Sequence, residues 1–236
     1  MKDLIFLDTE TTGNDVKKDR LSQICYQVDG AMHVEYFKPP LPMSVKSMSI
    51  THITNKFLED KKPFEGSGMK KDLEKLFSTG ILVAHNARFD KAILEAEGLK
   101  IPKTICTLRV ARSLDEKNAI PEYNLQYLRY YLDLDVPGSA HDAEGDVNVL
   151  IGLFDRLFSK MKEKVGDEKK VIDEMLDISS KPSLFSVFNF GKHKDKKLED
   201  VAREDKGYLE WLLKQKLSAE ADDEDWIYTL QYYLKK

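Results

Sequence analysis

Two acidic residues follow an apolar run near the N-terminus. Asp8 and Glu10, separated by Thr9, come directly after the apolar stretch 4–7. In a β-strand, residues i and i+2 project from the same face, so both carboxylates would lie close enough to share a cation. Acidic residues also cap strand ends as ordinary turn residues, so this pair alone leaves both interpretations open.

A further acidic residue follows a second apolar run. Residues 81–84 predict a short buried strand that leads into a helix over 87–97. Asn86 is well placed as the N-cap, and Asp90 falls one turn into the helix, on the face toward the strand ends. The alternative is that Asp90 only complements the helix dipole. We interpret His85 as a hydrogen-bonded structural histidine.

A third acidic cluster opens a long amphipathic helix predicted over 142–164. Asp142 and Asp146 are four residues apart and share one helix face. His141 lies at or just before the cap, where its side chain can reach past the helix end. Gly145 is unfavourable inside a helix and indicates a close approach there. Acidic residues are also favoured in any first turn, so the structural interpretation stays open.

The predicted elements that must position these residues form a mixed sheet. A two-residue Asp29-Gly30 turn predicts a hairpin between the second and third strands. The first strands form a meander, and later strands alternate with helices, which indicates an α/β fold. The predicted strands are 2–7, 21–28, 32–37, 81–84 and 104–107, and the predicted helices are 87–97, 124–132 and 142–164.

The composition is that of a folded protein without a basic excess. The chain has 236 residues, of which 42% are hydrophobic and 33% charged, and its formal net charge is −4. Nucleic-acid binding would therefore rest on a local patch, or on metal ions that reverse the charge of an acidic site. The isolated Cys25 and Cys106 argue against a thiolate zinc site and suit a reducing compartment.

The N-terminal apolar run is too short for a signal peptide, and no stretch approaches the roughly 20 apolar residues of a membrane span. We therefore expect a cytoplasmic protein without membrane association.

The chain divides into two predicted domains. Residues 1–165 form the larger one, and the charged segment 166–182 is interpreted as a helical or flexible linker. Residues 183–236 form a small α+β domain, with helices near 207–215 and 219–234. Its aromatics stand beside a Lys/His run at 192–197, which suggests nucleic-acid or partner binding. The alternative is a solvated loop over a small aromatic core.

The order and spacing of the three acidic motifs resemble the DEDDh family of 3′→5′ exonucleases. The resemblance covers residues 3–160 and implies a ribonuclease H-like mixed β-sheet flanked by helices. Residues 183–236 resemble the C-terminal region of exonuclease X-like proteins. The matching segments are 8–13, 86–90, 107–112, 124–128 and 141–146 in the first part, and 190–196 and 208–213 in the second.

The resemblance implies a site in which Asp8, Glu10, Asp90 and Asp146 hold two divalent ions, Mg²⁺ or Mn²⁺. It implies that His141 removes the proton of the attacking water and that nucleoside 5′-monophosphates leave from a 3′ end. One departure is that Thr51 occupies a slot where many relatives have histidine, with His52 next. The implied substrate-binding residues are Thr11, Thr12, Asn86, Phe89 and His52.

Several functional classes remain after this resemblance. We expect DNA, as single strands or frayed 3′ ends, to be favoured over RNA, with a role in DNA repair. An exoribonuclease or short-oligonucleotide hydrolase would use the same chemistry, and a polymerase-associated proofreading subunit would use the same site. A non-catalytic adaptor would have lost a carboxylate or the histidine, but all five positions are filled. The oligomeric state is left open.

Overall fold

The structure, a computed structural model, describes residues 4–137, 143–218 and 223–235. It has two compact units. The first comprises Met1–Ala111 and Glu122–Ser179, and the second comprises Arg112–Pro121 and Ser180–Lys236. The second unit is therefore built from two separate stretches of chain.

A five-stranded mixed sheet forms the centre of the first unit. Its strand order is β3-β2-β1-β4-β5, in which β1 pairs antiparallel with β2 and parallel with β4. This confirms the predicted fold class. The strands are β1 Leu4–Thr11, β2 Leu21–Val28, β3 Ala31–Tyr36, β4 Ile81–Ala84 and β5 Thr104–Cys106.

The predicted hairpin joins β2 to β3. Asp29 and Gly30 have φ angles of 49° and 81°, as a tight two-residue turn requires. Gly30 reaches such an angle without steric cost because it has no Cβ atom.

Helices cover the sheet, and three of them begin at hydroxyl side-chain caps. The hydroxyls of Ser44, Thr54 and Ser67 accept backbone N–H groups at the starts of α1, α2 and α3. The helices of this part of the chain are α1 Val45–Thr51, α2 Asn55–Leu58, α3 Gly68–Thr79, α4 Arg88–Ala96, α5 Thr107–Leu114, α6 Leu125–Tyr131, α7 Ala143–Val165 and α8 Glu168–Ser179.

The two faces of β1 have different neighbours. Ile5 and Leu7 are fully buried and belong to the core that also contains Leu73 of α3 and Ile93 of α4. On the other face, Phe6 packs edge-to-face on Phe154 of α7, with 5.2 Å between ring centroids. Because side chains alternate along a strand, Asp8 and Glu10 share the face of Phe6 and lie toward α7.

Residues 166–182, interpreted above as a linker, contain helix α8 of the first unit. Val171 and Met175, one turn apart, are both fully buried. At the end of α8, the Ser179 hydroxyl accepts the backbone N–H of Cys106 at 2.8 Å. The Ser179 carbonyl accepts a bond from the Arg109 guanidinium at 2.9 Å. The buried pair and these bonds fix the segment against β5 and α5, so it does not act as a spacer.

The second unit is mostly helical. Its elements are a 3₁₀ turn at Gly191–His193, α9 Leu198–Glu204, α10 Lys206–Ser218 and α11 Glu224–Lys235. In its described residues, the expected β content is reduced to one isolated bridge between Val187 and Lys197. Its separate apolar core consists of Phe188, Leu198, Val201, Leu209, Leu212, Trp226 and Leu230. Across both units, no helix of the described residues is long and apolar enough to cross a membrane.

Candidate active site

Asp8 and Glu10 lie at the end of β1, on one face of the sheet. The pairing of β1 with β2 changes register between Glu10 and Thr11, where the strand ends. Both acidic residues keep some contact with solvent. The same-face placement predicted from the sequence therefore holds, and the pair is reachable from outside.

Asp90 joins this pair because β4 is much shorter than β1. The parallel pairing ends with Phe6 opposite Val83, so β1 continues without a partner on that side. Asp90, in the first turn of α4, fills the open edge. Its Oδ1 accepts the backbone N–H of Thr9 at 3.2 Å and the Thr9 hydroxyl at 2.8 Å. Asp90 itself is 4% exposed, so these bonds fix a buried carboxyl group beside the pair.

The expected cap of α4 differs in the structure. Ala87 is the N-cap and makes no side-chain cap bond, whereas Asn86 lies one position earlier with a φ of 60°. Asparagine tolerates this left-handed conformation better than most residues. Asn86 therefore turns the chain between β4 and α4, and its side chain remains exposed.

Asp146 is brought to the same place by α7. It lies in the first turn of that helix, whose later residue Phe154 packs on Phe6 of β1. The side chain of Gln126, on α6, donates from Nε2 to Asp146 Oδ1 at 2.5 Å. Gln126 Oε1 is buried and has no hydrogen-bond partner in the described part of the chain. The sequence had given Gln126 no role at the site.

The carboxyl groups raise one another's pKa values. Burial, followed by the charges of Asp90, Glu10 and Asp146, raises the pKa of Asp8 well above its ordinary value. Burial, with Asp146 and Asp90, raises the pKa of Glu10 to about 7. Burial raises the pKa of Asp90 to about 6 although the bonds from Thr9 act in the opposite direction. The four acids therefore form one electrostatic cluster.

The chemistry of this cluster fits divalent cations with oxygen ligands. Asp8 and Glu10 have no neighbouring cation among the described residues that lowers their pKa values. A bound cation would relieve both the burial cost and the repulsion. In the described ranges, no three His, Cys, Asp or Glu side chains already stand at metal-ligand spacing.

His141 and Asp142 lie outside the described residues. Ala143, the first residue of α7, is buried against β2 beside Cys25. In the sequence, His141 therefore lies two residues before the start of α7, which is fixed on the sheet.

Thr11 and Thr12, expected to contact substrate, have side chains that bond within their own loop. The Thr11 hydroxyl donates to the Gly13 carbonyl at 2.6 Å, and the Thr12 hydroxyl donates to Asp19 at 2.8 Å. The Thr12 carbonyl accepts the Ser47 hydroxyl at 2.9 Å, which holds the start of α1. Both side chains therefore shape the loop beside Glu10.

Phe89 and His52 occupy different environments. Phe89 is partly buried and packs against the main core from α4, beside Asp90. His52 is exposed and ends α1 in a left-handed conformation with a φ of 59°. The preceding Thr51 bonds locally, because its hydroxyl donates to the Ser47 carbonyl and accepts the N–H of Ile53.

His85 has the structural surroundings that its sequence position suggested. Its Nδ1 lies 2.9 Å from the Thr107 hydroxyl, and its Nε2 lies 2.7 Å from the Tyr123 carbonyl. With both ring nitrogens engaged, His85 links the end of β4 to α5 and to the segment that leads into α6.

Comparison with known proteins agrees with this geometry. The family model described as Exonuclease matches residues 5–154, and a model described as Exodeoxyribonuclease X-like C-terminal matches residues 188–216. Exodeoxyribonuclease 10 of Escherichia coli K12 is 30% identical over 176 residues, which cover 74% of this chain and 73% of that protein. The DNA polymerase III subunit epsilon of Treponema pallidum is 30% identical over 170 residues, covering 67% and 78%.

Two solved structures share the fold. Exonuclease X in complex with 5′ overhanging duplex DNA has a TM-score of 0.57 and 25% identity, covering 75% of this chain and 99% of that one. Escherichia coli exonuclease I in complex with a dT13 oligonucleotide has a TM-score of 0.59 and 21% identity, covering 71% and 43%. With the family model spanning most of the chain, this protein belongs to the exonuclease family.

Proposed function

We propose that this enzyme is a divalent-metal-dependent 3′→5′ exonuclease that releases nucleoside 5′-monophosphates from DNA. The observation that carries the proposal is the convergence of four acidic side chains from β1, α4 and α7 at one end of β1. Burial raises the pKa values of Asp8, Glu10 and Asp90, and neighbouring carboxylates raise those of Asp8 and Glu10 further. Such a cluster is unfavourable for folding and suits cation binding.

Asp8, Glu10, Asp90 and Asp146 would hold the ions, and their hard oxygen ligands favour Mg²⁺ or Mn²⁺. When bound, two such ions relieve charge on the phosphoryl oxygens, activate a water and stabilise the leaving oxygen. Thr9 orients Asp90 through two hydrogen bonds to the same carboxylate oxygen. Gln126 orients Asp146 in the same way from α6. Both neutral donors fix a ligand without adding a competing cation.

His141 is proposed as the general base. An imidazole with an ordinary pKa of about 6.5 can accept a proton near neutral pH, as removal of a proton from water requires. Its position two residues before Ala143 keeps it close to Asp146 in sequence, at the start of α7.

DNA is proposed as the substrate because the similar proteins carry DNA in their names. These are an exodeoxyribonuclease, a subunit of DNA polymerase III, and exonuclease X in complex with 5′ overhanging duplex DNA. Single-stranded or frayed 3′ ends are the proposed form. The proposed setting is DNA repair in the cytoplasm, whose reducing conditions suit two buried cysteines, Cys25 and Cys106, that are not joined in a disulfide.

The test is a strand-shortening assay with the full chain and Mg²⁺. Matched single-stranded DNA, duplex DNA and RNA are labelled at the 5′ end, and products are separated by length. We expect a ladder of shortened, still labelled DNA strands, with 5′-monophosphates as the released product. Faster shortening of RNA would favour the exoribonuclease. Release of the label as a mononucleotide would show that digestion starts at the 5′ end and would contradict the proposed 3′→5′ direction.

The base assignment is tested with His141→Ala. We expect turnover to fall by about 100-fold or more, the contribution typical of a positioned general base. The matched control is His33→Ala, which removes an exposed histidine that stacks on Tyr26 at the sheet edge. Turnover by His141→Ala equal to that of the control would remove His141 from the mechanism.

A further inference from the structure

The second unit carries an exposed tryptophan beside a run of lysines. Trp211 on α10 is 53% exposed, whereas the other tryptophan, Trp226, is 6% exposed in the core. The lysine turn, defined here as residues 192–197, contributes exposed side chains at Lys192, Lys194, Lys196 and Lys197. Large aromatic side chains usually supply core area in so small a unit, so the exposure of Trp211 indicates a role at the surface.

The lysine turn has a fixed conformation. The backbone N–H of Phe188 donates to the Lys196 carbonyl at 2.9 Å, and the N–H of Asp195 donates to the Phe188 carbonyl at 2.7 Å. Within the turn, His193 points inward and is 6% exposed. Its Nε2 lies 2.9 Å from a carboxylate oxygen of Asp205. Anchoring His193 inside leaves the lysines on either side of it directed outward.

A glycine permits the close packing behind this turn. Gly191 has a φ of 69°, and a Cβ atom there would lie 2.7 Å from the Tyr208 hydroxyl oxygen. Any larger residue would therefore push Tyr208 away from the turn. The turn and Tyr208 are built to lie against each other.

Tyr208 connects the lysine turn to Trp211. The rings of Tyr208 and Trp211 have centroids 5.5 Å apart, and the ring of His193 lies 4.8 Å from that of Tyr208. Lys192 Nζ lies 6.0 Å from the Tyr208 centroid. Lys192, the first residue of the lysine turn, and the exposed ring of Trp211 therefore both lie beside Tyr208.

We propose that Trp211 and the lysine turn form a binding site for single-stranded nucleic acid, separate from the carboxylate site. Trp211 stacks on a base while the lysines contact neighbouring phosphates. This combination of a flat aromatic platform and mobile cations binds single strands with little sequence preference. Such a site goes beyond the proposed cleavage, because it is built from residues other than the carboxylate cluster and would hold the polymer.

Charge supports this occupant over an acidic or neutral one. Asp205 is engaged by both Lys192 at 2.8 Å and His193 at 2.9 Å. Lys194, Lys196 and Lys197 are exposed, with Asp195 among them and Glu210 beside Trp211 as opposing charges. The local excess is therefore small, and we expect binding that weakens as salt is added.

The experiment uses the intrinsic fluorescence of the full chain, which has two tryptophans. An oligothymidylate is titrated in EDTA without added metal, so that no cleavage occurs, and its affinity is measured in parallel by anisotropy of a labelled copy. Stacking on a base should quench the fluorescence of Trp211. We expect Trp211→Phe to keep the affinity while losing the quench, since phenylalanine still stacks.

The affinity should fall by about 5- to 100-fold in Trp211→Ala, the range for loss of one stacked base. The matched control is Leu217→Ala, which removes an exposed apolar side chain from the same helix, 60% exposed in the wild type. An unchanged affinity in Trp211→Ala, or a quench that persists in Trp211→Phe, would overturn the proposal.

The lysines are tested through the salt dependence. Lys194→Gln should reduce the slope of log affinity against log salt by about 0.7, the value for one phosphate contact on a single strand. Lys235→Gln, at the end of α11, should leave the slope unchanged and serves as the matched control. Equal slopes in the two variants would remove the lysine turn from the binding site.

Cleavage of a small chromogenic ester, the p-nitrophenyl ester of thymidine 5′-monophosphate, separates this proposal from the proposed function. The ester contacts only the carboxylate site, so Trp211→Ala should hydrolyse it at the wild-type rate in Mg²⁺. Wild-type hydrolysis together with unaltered oligothymidylate affinity would reject the binding site while leaving the exonuclease intact. An absence of ester hydrolysis by the wild-type protein in Mg²⁺ would instead reject the proposed exonuclease activity.

Discussion

The two units place carboxylate groups in opposite electrostatic surroundings. In the first, Asp8 and Glu10 face other carboxylates, and burial with this repulsion raises the pKa of Glu10 to about 7. In the second, Asp205 accepts bonds from Lys192 and His193, which lower its pKa to about 2. Asp8 and Glu10 have no cation among the described residues that lowers their pKa values, whereas Asp205 has two partners built into the fold.

This contrast separates a functional site from a structural one. The Asp205 contacts stabilise the lysine turn without any ligand, because opposite charges meet there. The carboxylate cluster lowers the stability of the metal-free protein at neutral pH, and a bound cation would reverse that cost. Such a local conflict with folding is expected where function requires it.

The largest effect is expected from Asp8→Asn, which removes one charge with little change in shape. Nuclease activity should fall by about 1,000-fold or more, because a metal ligand is lost. The metal-free variant should nevertheless be more stable than the wild type at pH 8, since repulsion is relieved. Activity assays and urea unfolding in EDTA measure the two effects. A less stable variant would contradict the electrostatic account.

The next effect is a pH dependence of the unfolding free energy. Because the pKa values of Glu10 and Asp90 are raised to about 7 and about 6, the folded chain binds more protons than the unfolded chain. Their contribution to stability is present below about pH 4, the unfolded pKa, and is lost as pH rises toward 7. Urea unfolding in EDTA should show this fall, and Glu10→Gln should reduce it.

Metal provides the control for that measurement. Saturating Mg²⁺ should add about 2.7 kcal/mol at 100 times its dissociation constant, and more at high pH, where the ligands are ionised. Asp205 behaves in the opposite way: its pKa is lowered, so its stabilisation is lost as pH falls through about 4 toward 2. A wild-type stability in EDTA that falls between pH 5 and 7 by no more than that of Glu10→Gln would contradict the prediction.

A smaller effect is expected from Gln126→Leu. Removing the donor to Asp146 leaves that carboxylate less well oriented, and we expect kcat to fall by about 10-fold with little change in KM. Gln215→Leu, an exposed glutamine on α10, is the matched control. Steady-state kinetics separate the two parameters. An effect confined to KM would indicate substrate contact instead of ligand orientation.

The smallest effect on catalysis is expected from Asp205→Asn. The variant should lose stability in the second unit, because Lys192 and the buried His193 lose a charged acceptor. Hydrolysis of the thymidine ester should stay at the wild-type rate. Thermal unfolding with Glu204→Gln as the exposed control measures the loss. A loss of ester hydrolysis would show that the comparison between the two regions is wrong.

Much of the sheet was predictable because its strands are short apolar runs between strong turn signals. The Asp29-Gly30 turn correctly predicted the hairpin of β2 and β3, and the apolar run 81–84 correctly predicted β4. No helix was predicted in the segment 45–79, although the segment contains three helices. Their N-caps are Ser44, Thr54 and Ser67. Serine and threonine are common in loops, so such caps are recognised only beside clear periodicity.

Helix α8 shows why the linker prediction differs from the structure. Its many charged residues concealed a narrow apolar face, of which only Val171 and Met175 are fully buried. At the active site, the order of the acids along the chain indicated their convergence. Gln126 was not predictable in that way, because its contact with Asp146 depends on how α6 packs beside α7.

Because the second unit is discontinuous in sequence, its boundary is not a place where the gene can simply be shortened. Arg112 pairs with Asp225 at 2.7 Å and stacks on Phe185 at 4.9 Å, far apart in the chain. A stop codon after Ser179 would keep Arg112–Pro121 while removing the residues that it packs against. End-to-end fusion of two modules would not produce this arrangement, so the two units are expected to be inherited together.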